Sequence, residues 1–178
     1  QSVFDHKIWV IAGDGCLQEG VTSEASSLAG HQELSNLVVL YDDNHISIEG
    51  DTAVSFTEDV LARYASYGWN VSHVEMLSNG EIDVTSLDLA IASAVAQSEK
   101  PTLIRVRNVI GWPAPNLKNT GKIHGAALGE AEVAATKELL GLDPAETFEI
   151  STEVLTHARQ VATRGREVES GSQSRRRP

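Results

Sequence analysis

Residues 8–15 read IWVIAGDG, and an apolar run that stops at Gly13-Asp14-Gly15 decides the fold. Ile8, Trp9, Val10, Ile11 and Ala12 predict a buried strand. A second run, Leu37-Val38-Val39-Leu40-Tyr41, leads into Asp42, Asp43 and Asn44. Two strands then deliver Asp14 and, thirty positions later, Asn44 to the same edge of a sheet. The backbone carbonyl of Ile46, two residues on, completes a three-oxygen set. Oxygen-only ligation suits a hard cation such as magnesium, which wants about six ligands and takes the rest from phosphates and water. Gly13 and Gly15 let the backbone approach an anion and aim N–H groups at it. The pattern describes a site for a magnesium-bound diphosphate. Two plainer readings stand beside it: Asp14 also suits a helix cap, and Asn44 an ordinary turn asparagine.

Outward from these strands the pattern alternates. A helix is predicted over 19–30, then the strand over 37–42, then a short extended piece, Ile46-Ser47-Ile48. A helix near 57–67 stops at Gly68, and a strand follows over 69–75. The segment 84–98 places Leu87, Ile91, Ala94 and Val95 at helical spacing. Pro101 opens a strand over 102–107. Such alternation predicts an α/β fold, a parallel sheet with helices on both faces and ligands at the strands' C-terminal ends. Residues 108–129 lack periodicity and hold several glycines and prolines, which predicts an ordered, functional loop. Helices near 130–140 and 152–164 follow. The polar stretch 166–178, ending in Arg175-Arg176-Arg177-Pro178, reads as a disordered, solvated tail.

Composition narrows the function classes. A chain of 178 residues suits one α/β domain with a real core. No apolar stretch reaches the roughly twenty residues of a membrane span, and no secretory signal precedes the first strand. The single cysteine, Cys16, excludes an internal disulfide and fits a reducing, cytoplasmic setting. A net charge of −11 argues against nucleic acid as a partner. Since a diphosphate is itself an anion, the cation, backbone N–H groups and a helix N-terminus must offset that field locally.

The string GDGCLQEGVTSEASSLAGH, with YDDNHISIEG after it, resembles the transketolase family, whose thiamine diphosphate signature is GDG followed about thirty residues later by N. The resemblance runs through FTEDVLARYASYGWNV, KPTLIRVRNVIGW and HGAALG, over roughly residues 5–160. It implies that residues 1–165 are part of a diphosphate-binding domain, with thiamine diphosphate and Mg2+ as cofactors. The implied metal ligands are Asp14, Asn44 and Ile46, and the implied cofactor contacts are Gly13, Gly15, Asn44, Ile48 and His124. His124, in HGAAL, matches a histidine that touches the cofactor diphosphate and the substrate. Ala127 stands where relatives have proline, and IGWPAPN where many have glycine and serine, so the loop departs from the family pattern. Glu19 matches a catalytic-site glutamate at the subunit interface of a homodimer, and Glu24 is a weaker candidate for the same interface. Taken alone, both read as solvated helix residues.

The family moves a two-carbon ketol unit from a ketose phosphate to an aldose phosphate in the pentose phosphate pathway. The glutamate that activates its cofactor, and the histidines of an upstream segment with GPLGQG, match nothing in this chain. The chain therefore reads as a fragment, its sheet incomplete at the N-terminal side. A different ketol transferase of the same superfamily, or an inactive truncated binding module, are the alternatives. Cys16 is expected to be a small buried residue with nothing basic near enough to make it a nucleophile. His6, His31, His73 and His157 are expected to be structural or surface groups.

Overall fold

A computed structural model of the protein describes residues 6–175, with side chains described through 171. These residues divide after Leu142 into two compact units.

The first unit is built on four parallel strands: β1 (Ile8–Gly13), β2 (Leu37–Asp43), β5 (Asn70–Val74) and β6 (Thr102–Arg107), in the order β1-β2-β6-β5. A small hairpin, β3 (Ile46–Ser47) and β4 (Gly50–Asp51), follows β2. The helices of this unit are α1 (Asp14–Gln18), α2 (Gly20–His31), α3 (Val60–Ser66), α4 (Val84–Ala96) and α5 (Glu130–Leu139). Alternate side chains of each strand face opposite sides of the sheet, and two cores result. On one side Val39, Tyr41 and Leu103 pack with Leu17, Ala29, Val60, Tyr64 and Trp69. On the other, Val38, Ile104, Val106 and Val74 pack with Ala94, Leu87, Ala90 and Ile91 of α4. Both faces are thus covered by helices, as the alternating pattern predicts.

Local chemistry sets the helix ends. Asp59 caps α3 by accepting from Ala62 N at 3.0 Å, and Asp83 caps α4 by accepting from Ser86 N at 3.0 Å. Gly68, at φ +87°, turns the chain from α3 into Trp69. The helices on the first face are tied by polar contacts as well as packing. Arg63 donates to Leu17 O at 3.0 Å and to Ser23 Oγ at 3.1 Å, and Trp69 Nε1 donates to Ser26 O at 2.8 Å. Gly30 lies so close to α3 that a Cβ there would stand 1.9 Å from the Tyr67 carbonyl oxygen.

The helix predicted over 19–30 forms as α2, and a short further helix, α1, precedes it, the two separated by Glu19, which is extended at ψ 132°. Three expectations are corrected. The run before Gly13 does not form a buried strand: β1 is an edge strand, and Ile11 is 79% exposed. Val95 points outward, because Leu87, Ala90, Ile91 and Ala94 fill the stripe of α4 that meets the sheet. In the second unit, α6 spans Thr152–Arg175, continuing through most of the stretch expected to be a disordered tail. No proline interrupts it, and Gly165 and Gly171 each cost a helix only about 1 kcal/mol. Residues 176–178 lie outside the described residues.

Candidate cation and diphosphate site

Asp14 follows β1 directly and is 2% exposed. Its neighbours come from β2, because Gly13 pairs in register with Asp42. Oδ1 accepts from the Tyr41 hydroxyl at 2.7 Å, and Oδ2 accepts from the backbone N–H of Asn44 at 3.2 Å and of His45 at 3.1 Å. The helix-cap reading fails: Gly13 holds the N-cap position of α1, with no side-chain cap bond. Three donors instead hold the carboxylate across the ends of two strands.

Asn44 is buried, and its Oδ1 accepts from Ile46 N at 2.9 Å. The turn reading of Asn44 is therefore correct as far as it goes. That turn also binds the amide oxygen and the Ile46 backbone into one loop, and an amide oxygen keeps a second lone pair. The hairpin β3–β4 begins at Ile46, and Ile48 at its tip has φ +53° and is 70% exposed. A β-branched residue in the left-handed region is strained, and strain of this kind collects where a side chain is held for use. Gly15 packs against the hairpin, since a Cβ there would lie 3.2 Å from Ser47 Oγ, whereas a Cβ on Gly13 would meet open space.

The charges around β2 separate by face. Asp42 accepts from Asn108 Nδ2 and, at 3.4 Å, from Asn44 Nδ2. A cavity of about 540 Å3 opens on that side, lined by Asn44, Asn108, Ile110 and Trp112 among others. Asp43 is buried on the other side, with His45 Nε2 at 3.1 Å, Arg107 Nη1 at 3.3 Å and Arg105 Nε at 3.7 Å. A second cavity, about 440 Å3, lies beside it. Tyr41 is buried between Asp14 and Asp43. Burial first, and then the hydrogen bond and charge of Asp14, push its hydroxyl well above the ordinary value, so it stays a donor.

The loop after β6 is ordered by close contacts. Gly111, at φ +69°, lies under Ile123, and Gly121 lies against the Glu49–Gly50 backbone, where a Cβ would be 2.4 Å from the Glu49 oxygen. His124 comes three residues after that contact with the hairpin and is exposed. Glu132 of α5 holds the loop from behind. Its carboxylate accepts from Asn116 N and Asn116 Nδ2, both at 2.8 Å, and from Leu117 N at 3.0 Å.

The structure thus brings Asp14, Asn44 and the Ile46 turn together, sets Gly13, Gly15 and Ile48 around them, and packs the His124 loop on the same hairpin. It does not bring Glu19 or Glu24 there: both side chains are exposed, Glu19 at the N-cap of α2 and Glu24 within that helix. Cys16, expected to be buried, is exposed. It follows Asp14 on the outer side of α1, where Leu17 takes the core position. His6, His31, His73 and His157 are all exposed. Sequence reasoning missed Tyr41 and Glu132. Only the polar end of a core-facing residue hints at the first, and an acidic residue among apolar neighbours at the second.

A carboxylate, an amide oxygen and a backbone carbonyl are hard donors and fit a magnesium ion. Among the described residues, no group of three or more His, Cys, Asp or Glu side chains is gathered to hold a metal. No described helix is long and apolar enough to cross a membrane.

Comparison with known proteins identifies the family and the fold. Residues 1–175 match the family described as "Transketolase, thiamine diphosphate binding domain". A transketolase of Mycobacterium leprae is 56% identical over 94% of the chain, and one of Nostoc sp. is 48% identical over 94%. The chain spans 23% of the length of the former and 24% of the latter. A transketolase of Pichia stipitis, in complex with sedoheptulose 7-phosphate, superposes with a TM-score of 0.86 at 40% identity, covering 96% of this chain and 25% of that one. A Leishmania mexicana transketolase gives 0.85 at 38%, over 93% and 25%.

Proposed function

The chain belongs to the transketolase family as a thiamine diphosphate-binding domain, and from that premise we propose that Asp14, Asn44 and the Ile46 carbonyl hold Mg2+ on the cofactor diphosphate. Gly13 and Gly15 line the diphosphate, and Ile48 meets the cofactor. His124 reaches the diphosphate and the substrate from its loop. Glu19 serves at the interface of a homodimer rather than within this site. The protein so formed is a cytoplasmic enzyme that moves a two-carbon ketol unit between sugar phosphates in the pentose phosphate pathway, with no nucleic acid or membrane partner. The bound cofactor supplies the electron sink for that transfer. These residues supply position and charge.

One observation carries the reading. Asp14 and Asn44, thirty positions apart in the chain, are held together by the bond from Asn44 N to Asp14 Oδ2 at 3.2 Å. Ile48 supports it: a strained, exposed apolar side chain at a hairpin tip costs about 1–3 kcal/mol and is explained by a ligand resting on it. The test is calorimetry of thiamine diphosphate binding to the purified full-length protein with magnesium and with a chelator. Binding that needs magnesium is expected. Equal affinity in both solutions would overturn the assignment.

A further inference from the structure

Tyr41 has one hydroxyl proton and two buried carboxylates within reach, Asp14 Oδ1 at 2.7 Å and Asp43 Oδ1 at 3.3 Å. Asp43 is already served by His45, Arg107 and Arg105. Among the described contacts of Asp14 the donors are Tyr41 and two backbone N–H groups. The shorter distance and the lack of a cationic partner there both direct the proton to Asp14. A carboxylate offers about four acceptor positions, two on each oxygen. Asn44 N and His45 N take both positions on Oδ2, and Tyr41 takes one on Oδ1. A single position remains, on Oδ1.

We propose that Tyr41 is a positioning residue for Asp14, locking the carboxylate so that Oδ1 alone is presented to a divalent cation. The inference rests on the cation site proposed above. It assigns to Tyr41 a role through Asp14 and no contact with the cation itself. In a Tyr41→Phe protein the backbone donors remain, but Oδ1 loses the bond that fixes it, and the ring still fills the core.

The experiment measures manganese binding by electron paramagnetic resonance, with thiamine diphosphate present, in the full-length wild-type, Tyr41→Phe and Asp14→Ala proteins. Tyr41→Phe should bind manganese about tenfold more weakly, the scale of one hydrogen bond to a charged group. Its circular dichroism should be unchanged, and its thiamine diphosphate affinity should recover at saturating manganese, which a general packing defect would not allow. If Asp14→Ala binds manganese as the wild type does, the cation site itself is wrong. If Asp14→Ala loses manganese and Tyr41→Phe does not, the positioning role alone is overturned. Should Tyr41→Phe fail to fold, 3-fluorotyrosine at position 41 keeps the hydroxyl. Its fluorine resonance should shift when magnesium saturates the site beside thiamine diphosphate. A resonance that stays still at saturation overturns the proposal.

Discussion

Asn116 gives both its backbone N–H and its side-chain amide to the two carboxylate oxygens of Glu132, each at 2.8 Å. One side chain of α5 thereby fixes the middle of the loop that carries His124. The Asn116 amide, and then the backbone N–H groups of Asn116 and Leu117, hold the Glu132 carboxyl below the ordinary glutamate value of 4.5. Because the folded value is the lower one, this stabilisation is complete above the unfolded value and is lost as pH falls through the folded one. The protection factors of the Asn116 and Leu117 amides should therefore fall in the wild type as pH drops through the lowered Glu132 value. Glu132→Gln should be less protected already at neutral pH, with little further change on acidification. Equal protection in both proteins would show that the loop is held by other contacts.

Asp14→Ala removes one of three proposed oxygen ligands and its charge, and it strands three donors. Magnesium-dependent binding of thiamine diphosphate should fall below detection by calorimetry. The melting temperature should drop too, since each buried donor left unpaired costs about 1–3 kcal/mol. Unchanged cofactor affinity in folded Asp14→Ala would sink the ligand assignment.

Two glycines separate binding from folding. At Gly13, φ −86° and ψ 179° suit alanine and a Cβ meets open space, so Gly13→Ala should keep its melting temperature. It should nonetheless bind thiamine diphosphate more weakly, because the methyl fills the space proposed for the diphosphate. At Gly30 a Cβ would strike the Tyr67 carbonyl at 1.9 Å, a clash with backbone that cannot swing aside. Gly30→Ala should lose about 1–3 kcal/mol of stability with the site chemistry intact. Thermal melts and calorimetry on both variants check the split.

Legibility followed the range of the forces. The alternation of strands and helices was readable because each apolar run carries its own period, and the parallel register of β1 on β2 then placed Asp14 beside Asn44 without further information. The exposure of Ile11 was not readable, since a strand's own residues do not say whether it has neighbours on both sides. Nor was the break at Glu19, where nothing in the composition marks an extended residue between two helices. Tyr41 and Glu132 act through partners 27 and 16 positions away, contacts that only the folded chain defines. The motif thus named the groups that the fold brings together, while the residues that orient them came from packing.

The 178-residue chain by itself should show no transketolase turnover, even with magnesium and thiamine diphosphate. It spans 23% of the length of the Mycobacterium leprae relative, and it holds no match to the glutamate that the family resemblance implies as the cofactor activator. Its sheet also has an open side. β1 pairs with β2 and has no second partner among the described residues, and Ile8, Trp9 and Val10 are 46%, 42% and 39% exposed. An apolar edge of this kind recruits other strands, so the isolated chain should self-associate in size-exclusion chromatography as its concentration rises. Replacing Trp9 and Ile11 with lysine should reduce that association. The assay couples ketose phosphate consumption to a dehydrogenase with the chain at high concentration. Sustained turnover above a protein-free control would show that these residues suffice for catalysis and that the division of labour proposed for them is wrong.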